Sequence, residues 1–220
     1  MKVTINAAMT LDGKIATASG DSAISSKQDL TRVHKLRAGS DAVVVGVATV
    51  LADDPQLTVR HVEGKSPARV IIDSRGRTPA ESRLLRTAGK VRTIVAVTGK
   101  VPAGNVSMMR NAGAEVIIAA GKEQVDLKSL FATLAKMGFK RLLVEGGGEL
   151  NWSVLRLGLA DEVVVTVAPK IAGGRLAITL VEGDGFDTIA KGIKLRLSKA
   201  ERIKKTGELV LYYKIIQSTF

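Results

Sequence analysis

The chain has 220 residues, 45% of them apolar, with no cysteine, two histidines and a formal net charge of +12. Disulfides, thiolate metal sites and cysteine nucleophiles are therefore excluded, and His34 and His61 alone are too few for a dedicated transition-metal centre. Lys and Arg are scattered and aromatics make up only 3%, so the charge does not form the basic-aromatic tracts of a nucleic-acid binder; it suits phosphorylated small molecules, with many of these charges simply solvating the surface. The apolar run 42–52 falls well short of the roughly 18 residues needed to span a bilayer, and no signal pattern opens the chain. A soluble, cytoplasmic protein with no membrane partner is expected.

In chain order, KVTINAAM (2–9) reads as a strand, and the helix that follows starts at Ser26 as N-cap, has Asp29 three residues on, and stops at Gly39. Short β-branched runs at 42–46, 68–73, 93–98, 115–120, 141–145 and 162–169 suit strands buried on both faces, as in parallel sheets. Helices are predicted at 103–112, 127–137 and 149–158. From 194 on, KLRLSKAERIKK, TG and ELVLYYKII alternate with period two, which predicts an antiparallel hairpin. No linker or repeat interrupts the alternation. One α/β domain over 1–220, with a mixed, mainly parallel sheet, is the expected architecture.

Ligands of open α/β sheets bind beyond the carboxyl ends of the strands. There, LLVEGGGELNW (142–152) runs from strand through Gly146, Gly147 and Gly148 into a helix. Bare glycine backbone at a helix N-terminus lets amides approach an anion such as a pyrophosphate, although a tight turn also accounts for three glycines. In NAAMTLDGKIA (6–16), Asp12, Gly13 and Lys14 follow the first strand, where a ligand site is expected, although an ordinary Asp-Gly turn also accounts for them. VGVATVLADDPQLTVR (45–60) offers the Thr49 hydroxyl, the Asp53 carboxylate and the Arg60 guanidinium, the last suited to phosphate. IIDSRGRTP (71–79) brings Ser74, Arg75 and Arg77, which fit the 2′-phosphate that distinguishes NADP from NAD or form a solvated turn. His34 and His61 read as packed or exposed side chains rather than acids.

Together with DSAIS, RVHKLRA and VAPKIAGG, these stretches closely resemble the riboflavin-pathway pyrimidine reductases, both the stand-alone enzymes and the reductase half of the bifunctional deaminase-reductases. The resemblance covers nearly the whole chain. It implies a three-layer α/β/α dihydrofolate-reductase-like fold, a homodimer, and NADPH as cofactor with NADH as an alternative donor. A zinc deaminase domain would need cysteines this chain lacks, so the stand-alone form is expected. By the same resemblance the cofactor contacts are Ala8, Thr49, Asp53, Ser74, Gly147, Gly148, Glu149 and Leu150, with Arg75 added from its position beside Ser74. Substrate contacts are Ser22, Arg37, Leu57, Arg60 and Glu145, with Arg37 and Arg60 on the substrate phosphate.

The implied reaction reduces the ribosylamino group of 2,5-diamino-6-(ribosylamino)-4(3H)-pyrimidinone 5′-phosphate by hydride delivery to ribose C1′. A closed aminoribose has no acceptor double bond, so ring opening to an imine must come first. That opening needs a proton for the ring oxygen, and Glu145, Lys14 and Asp12 are the titratable choices. No metal is expected. The competing readings are a dihydrofolate-reductase-like pteridine reductase and a non-catalytic nucleotide-binding protein.

Overall fold

In the computed structural model, residues 1–216 are described. In chain order the strands and α-helices are β1 (Lys2–Thr10), β2 (Lys14–Ala16), α1 (Lys27–Ala38), β3 (Ala42–Gly46), α2 (Val47–Asp53), β4 (Ala68–Ile72), α3 (Arg83–Arg86) and β5 (Thr93–Val97). There follow α4 (Ala103–Asn111), β6 (Glu115–Ile118), α5 (Leu127–Lys136), β7 (Arg141–Val144), α6 (Gly148–Arg156), β8 (Glu162–Ala168), β9 (Ile178–Thr179), β10 (Leu195–Arg202) and β11 (Leu209–Ile215). Every strand and long helix expected from the sequence is present, within about three residues at each end. The expected single span 1–220 is made of two compact units, His34–Leu143 with Met1, and Lys2–Val33 with the chain from Val144 onward.

In the first unit the strand order is β7-β3-β4-β5-β6. β3, β4, β5 and β6 pair in parallel, Val44 opposite Val70 and Val70 opposite Ile94. Val43, Val45, Ile71, Val95 and Val97 form one buried cluster with Leu84, Leu85, Met109 and Leu143. β-branched side chains fill both faces of such strands without rotamer strain. Each buried residue of this size contributes roughly 1.5–3 kcal/mol. Arg69 lies fully buried in β4. Its guanidinium donates to Thr93 and Thr87 hydroxyls and to the carbonyls of Leu84, Val91 and Gln56. Burial pulls its pKa down to about 10.

In the second unit the order is β10-β11-β8-β1. β1 and β8 are parallel, while β11 pairs antiparallel with both β8 and β10. The expected hairpin is there, but its connection is longer than Thr206-Gly207 alone. It runs from Ile203 to Glu208, with Gly207 at φ +78°. Glu208 is buried and accepts from the Ser26 amide at 2.8 Å and from the Ser26 hydroxyl. Ser26 Oγ in turn accepts from Asp29 N–H, which is the N-cap expected for α1. Further along α1, Asp29 accepts from Arg32 at 2.8 Å, Thr166 at 2.7 Å and Ser25 at 2.6 Å. Arg32 also donates to Asn6 and Thr166, so this buried ion pair has its hydrogen bonds satisfied on β1 and β8.

Candidate functional site

The triple glycine lies in the second unit, directly after β7. Gly146 has φ +88°, a left-handed conformation that favours glycine. Gly148 is required for a different reason: a Cβ there would sit 2.6 Å from Glu182 Cγ and 2.7 Å from the Thr179 carbonyl. What comes so close to this backbone is the protein's own 179–182 segment. Gly147 is the N-cap of α6 and offers no side-chain cap, so the first-turn amides of Gly148, Glu149 and Leu150 have no capping side chain from within the helix start. Glu149 is exposed in that turn, where the dipole favours a carboxylate. Leu150 is buried, which leaves only its main chain for a ligand. Asn151, also fully buried, donates to the Leu180 carbonyl at 2.9 Å, and its Oδ1 has no hydrogen-bond partner among the described residues.

The same unit sets Lys14 beside this turn. β2 pairs with β9, Lys14 opposite Thr179, and the Lys14 ammonium lies 3.4 Å from the Ala177 carbonyl. Glu182 accepts from the Thr179 amide and hydroxyl at 2.5 and 2.7 Å. Those bonds, together with the nearby Lys14 charge, hold its carboxyl below the usual range. Glu145 is half-buried between β7 and the glycines, Ala8 lies on β1 opposite Thr166, and Ser22 is exposed in the loop before α1.

Asp12, one of the expected proton donors, is engaged as a hydrogen-bond acceptor. It accepts from the Thr10 hydroxyl at 2.6 Å and from the amides of Ala172 and Gly173 at 3.1 and 2.7 Å. These bonds, the Thr10 hydroxyl first, lower its pKa to about 2. The same bonds tie two loops together and favour the charged form of the carboxylate.

The first unit holds the other expected residues. Thr49 is in the first turn of α2 and Asp53 is its last residue, just before Asp54 in the left-handed region. Leu57 has φ +53° and turns its side chain into the core, so a substrate contact there falls to its main chain. Arg60 is exposed and donates to Gln56 Oε1 and Thr58 Oγ1. Arg37 donates to the Thr58 carbonyl at 3.2 Å. Partial desolvation and the neighbouring charges of Arg37 and Arg83 depress the pKa of Arg60, which marks a cluster of three guanidiniums. Arg83 is partly neutralised by Asp54 at 3.5 Å. At the end of β4, Ser74 Oγ accepts from Val125 N–H at 3.0 Å, and Arg75 is exposed near Glu123, itself paired with Lys100.

Glu182, Asn151 and the bonding of His34 to Arg60 went unseen in the sequence. The one available signal was the carboxylate flanked by glycine in VEGDG.

A family model described as the RibD C-terminal domain matches residues 1–207. The chain belongs to the RibD C-terminal domain family. It is 47% identical over 97% of its length to the 2,5-diamino-6-ribosylamino-4(3H)-pyrimidinone 5′-phosphate reductase of Methanothermobacter thermautotrophicus, covering 97% of that protein. It is 40% identical to the reductase of the same name from Archaeoglobus fulgidus, over 94% of each. Among solved structures, Acinetobacter baumannii RibD superposes with a TM-score of 0.81 at 28% identity, covering 98% of this chain and 58% of the RibD chain. The RibD-family span takes in all the expected site residues, from Ala8 to Leu150, in both units.

Proposed function

We propose that the chain reduces 2,5-diamino-6-ribosylamino-4(3H)-pyrimidinone 5′-phosphate to its ribitylamino product with NADPH. That it is a pyrimidine 5′-phosphate reductase of riboflavin biosynthesis follows from the family match and the identity to the archaeal reductases. Reductase chemistry calls for a nicotinamide cofactor; the choice of NADPH and the roles of individual residues are our reading.

The observation that carries this reading is the start of α6, where an N-cap without a side chain leaves amides at the positive end of a helix dipole. Gly147, Gly148, Glu149 and Leu150 would hold the pyrophosphate there through their main chain. Asn151 Oδ1 in the same turn, without a partner among the described residues, is an acceptor and so suits a hydroxyl or amide N–H of the cofactor, not its pyrophosphate. Ala8, Thr49 and Asp53 take further cofactor contacts, and Ser74 with Arg75 takes the 2′-phosphate. When bound, the reduced nicotinamide supplies the hydride that ends on ribose C1′.

The remaining steps fall to the protein's side chains. Arg37 and Arg60 hold the substrate phosphate, with Arg83 reinforcing the local positive potential. Ser22 and the Leu57 main chain add polar contacts. Opening the aminoribose needs a proton at the ring oxygen; we assign it to Glu145 or Lys14 ahead of Asp12, whose hydrogen bonds favour its ionised form. Exposed Leu195 and Leu197 on the edge strand β10 support a homodimer. No helix among the described residues is long and apolar enough to cross a membrane. Because its nicotinamide donor and phosphorylated substrate are small metabolites, we place the enzyme in the cytoplasm.

The test is direct. Purified protein is mixed with NADPH or NADH and the pyrimidine phosphate, in its amino and deaminated forms, and the ribityl product is identified by mass. Consumption of NADPH with dihydrofolate in place of the pyrimidine would overturn the assignment.

A further inference from the structure

His34 lies in α1, buried to 2% exposure. Its Nδ1 accepts a hydrogen bond from the backbone amide of Arg60 at 2.9 Å. The imidazole also meets His61 edge to face, the ring centroids 4.5 Å apart. One turn further along the helix, Arg37 donates to the carbonyl of Thr58, and Ser66 Oγ accepts from the Val59 amide at 3.1 Å. The loop that presents Arg60 is thus fastened residue by residue over Thr58, Val59 and Arg60. Of these ties, the one at Arg60 itself is made by His34.

We propose that His34 is a positioning residue for phosphate recognition, its imidazole acceptor fixing the Arg60 main chain so that the Arg60 guanidinium is presented in one orientation. The proposal rests on the assignment of Arg60 to the substrate phosphate. An exposed arginine has several rotatable bonds, and a phosphate gains from it in proportion to how little freedom is left to lose. The hydrogen bond to the main chain fixes the root of that side chain, while the bonds of its guanidinium to Gln56 and Thr58 hold the far end. The acceptor is available at neutral pH, because burial, with the charges of Arg37, His61 and Arg60 nearby, lowers the His34 pKa to about 4. A protonated ring would present a second N–H to the Arg60 amide and lose the bond.

Two substitutions separate this role from simple packing. His34→Asn keeps an acceptor at the δ position, while His34→Leu fills the space without one. We expect His34→Leu to raise the KM for the pyrimidine phosphate roughly five- to tenfold, with kcat and the NADPH dissociation constant unchanged, and His34→Asn to restore most of the loss. Hydrogen exchange at the Arg60 amide should quicken in His34→Leu and not in His34→Asn. In an Arg60→Ala background, His34→Leu should add nothing further to KM. If Arg60→Ala raises KM but His34→Leu does not, or if the Leu and Asn variants lose equally, the positioning role is wrong while the phosphate assignment stands. If Arg60→Ala leaves KM unchanged, the phosphate assignment itself falls and takes the proposal with it.

Discussion

At Gly146–Gly148 the groups suited to an anion are main-chain amides, whereas at Arg37 and Arg60 they are guanidiniums on long side chains. The amide site is stiff because a helix start and the packed 179–182 segment define it, and it carries only the partial charge of a dipole. The guanidinium site carries full charges but has to be braced, and the ties from His34, Arg37 and Ser66 supply that bracing. The first kind of site fails when atoms are added, the second when atoms are removed.

The largest effect should come from removal. Arg60→Ala deletes a charge-assisted contact of about 1.5–3 kcal/mol. Substrate KM should therefore rise about ten- to a hundredfold in steady-state assays, with the NADPH dissociation constant unchanged in a fluorescence titration. Equal weakening of both ligands would move Arg60 to the cofactor and collapse the contrast.

Adding a methyl at the stiff site comes next. Gly148→Ala drives a Cβ against Glu182 and Thr179 and should cost about 1–3 kcal/mol of stability, read from the urea midpoint. Gly147, at φ −71° and ψ −164°, has extended backbone that other residues adopt. Gly147→Val should therefore weaken NADPH at least about tenfold while the melting temperature stays near wild type. Retained cofactor affinity in this variant would leave the turn a purely structural feature.

Two smaller effects sharpen the comparison. Asp12→Asn should change kcat by no more than about threefold, since its hydrogen bonds are those of a loop tie; a collapse of kcat at unaltered stability would return it to the catalytic set. The depressed pKa of His34 predicts a stability term fully present above its ordinary value of 6.5 and lost as the pH falls toward about 4, because the unfolded chain binds that proton first. Urea midpoints across that window should therefore fall more steeply for wild type than for His34→Leu.

The sequence exposes the alternating frame because its signals are local. Runs such as AVVVG and ARVII carry burial on both faces in their own composition, and the period-two pattern of the last strands does the same for the hairpin. The short elements stay hidden: β2 and β9 have three and two residues, and α3 has four, held by the Ser82 cap. At the site, residue type was legible but task was not. That the Leu57 side chain packs in the core, and that Ala172 and Gly173 donate to Asp12 from 160 residues away, is set by the fold and not by the local sequence. His34 could be read only as a packed histidine, since its partner depends on where the chain brings Arg60 back to α1.

The Glu208 carboxylate that closes on Ser26 makes the beginning of α1 depend on chain made 182 positions later. During synthesis that helix has its residues early but its terminal clamp late, when the final two strands emerge. The clamp therefore adds to the local Ser26 cap only after those strands have been made, and a ribosome stalled before residue 208 would carry an α1 with the cap but without the clamp.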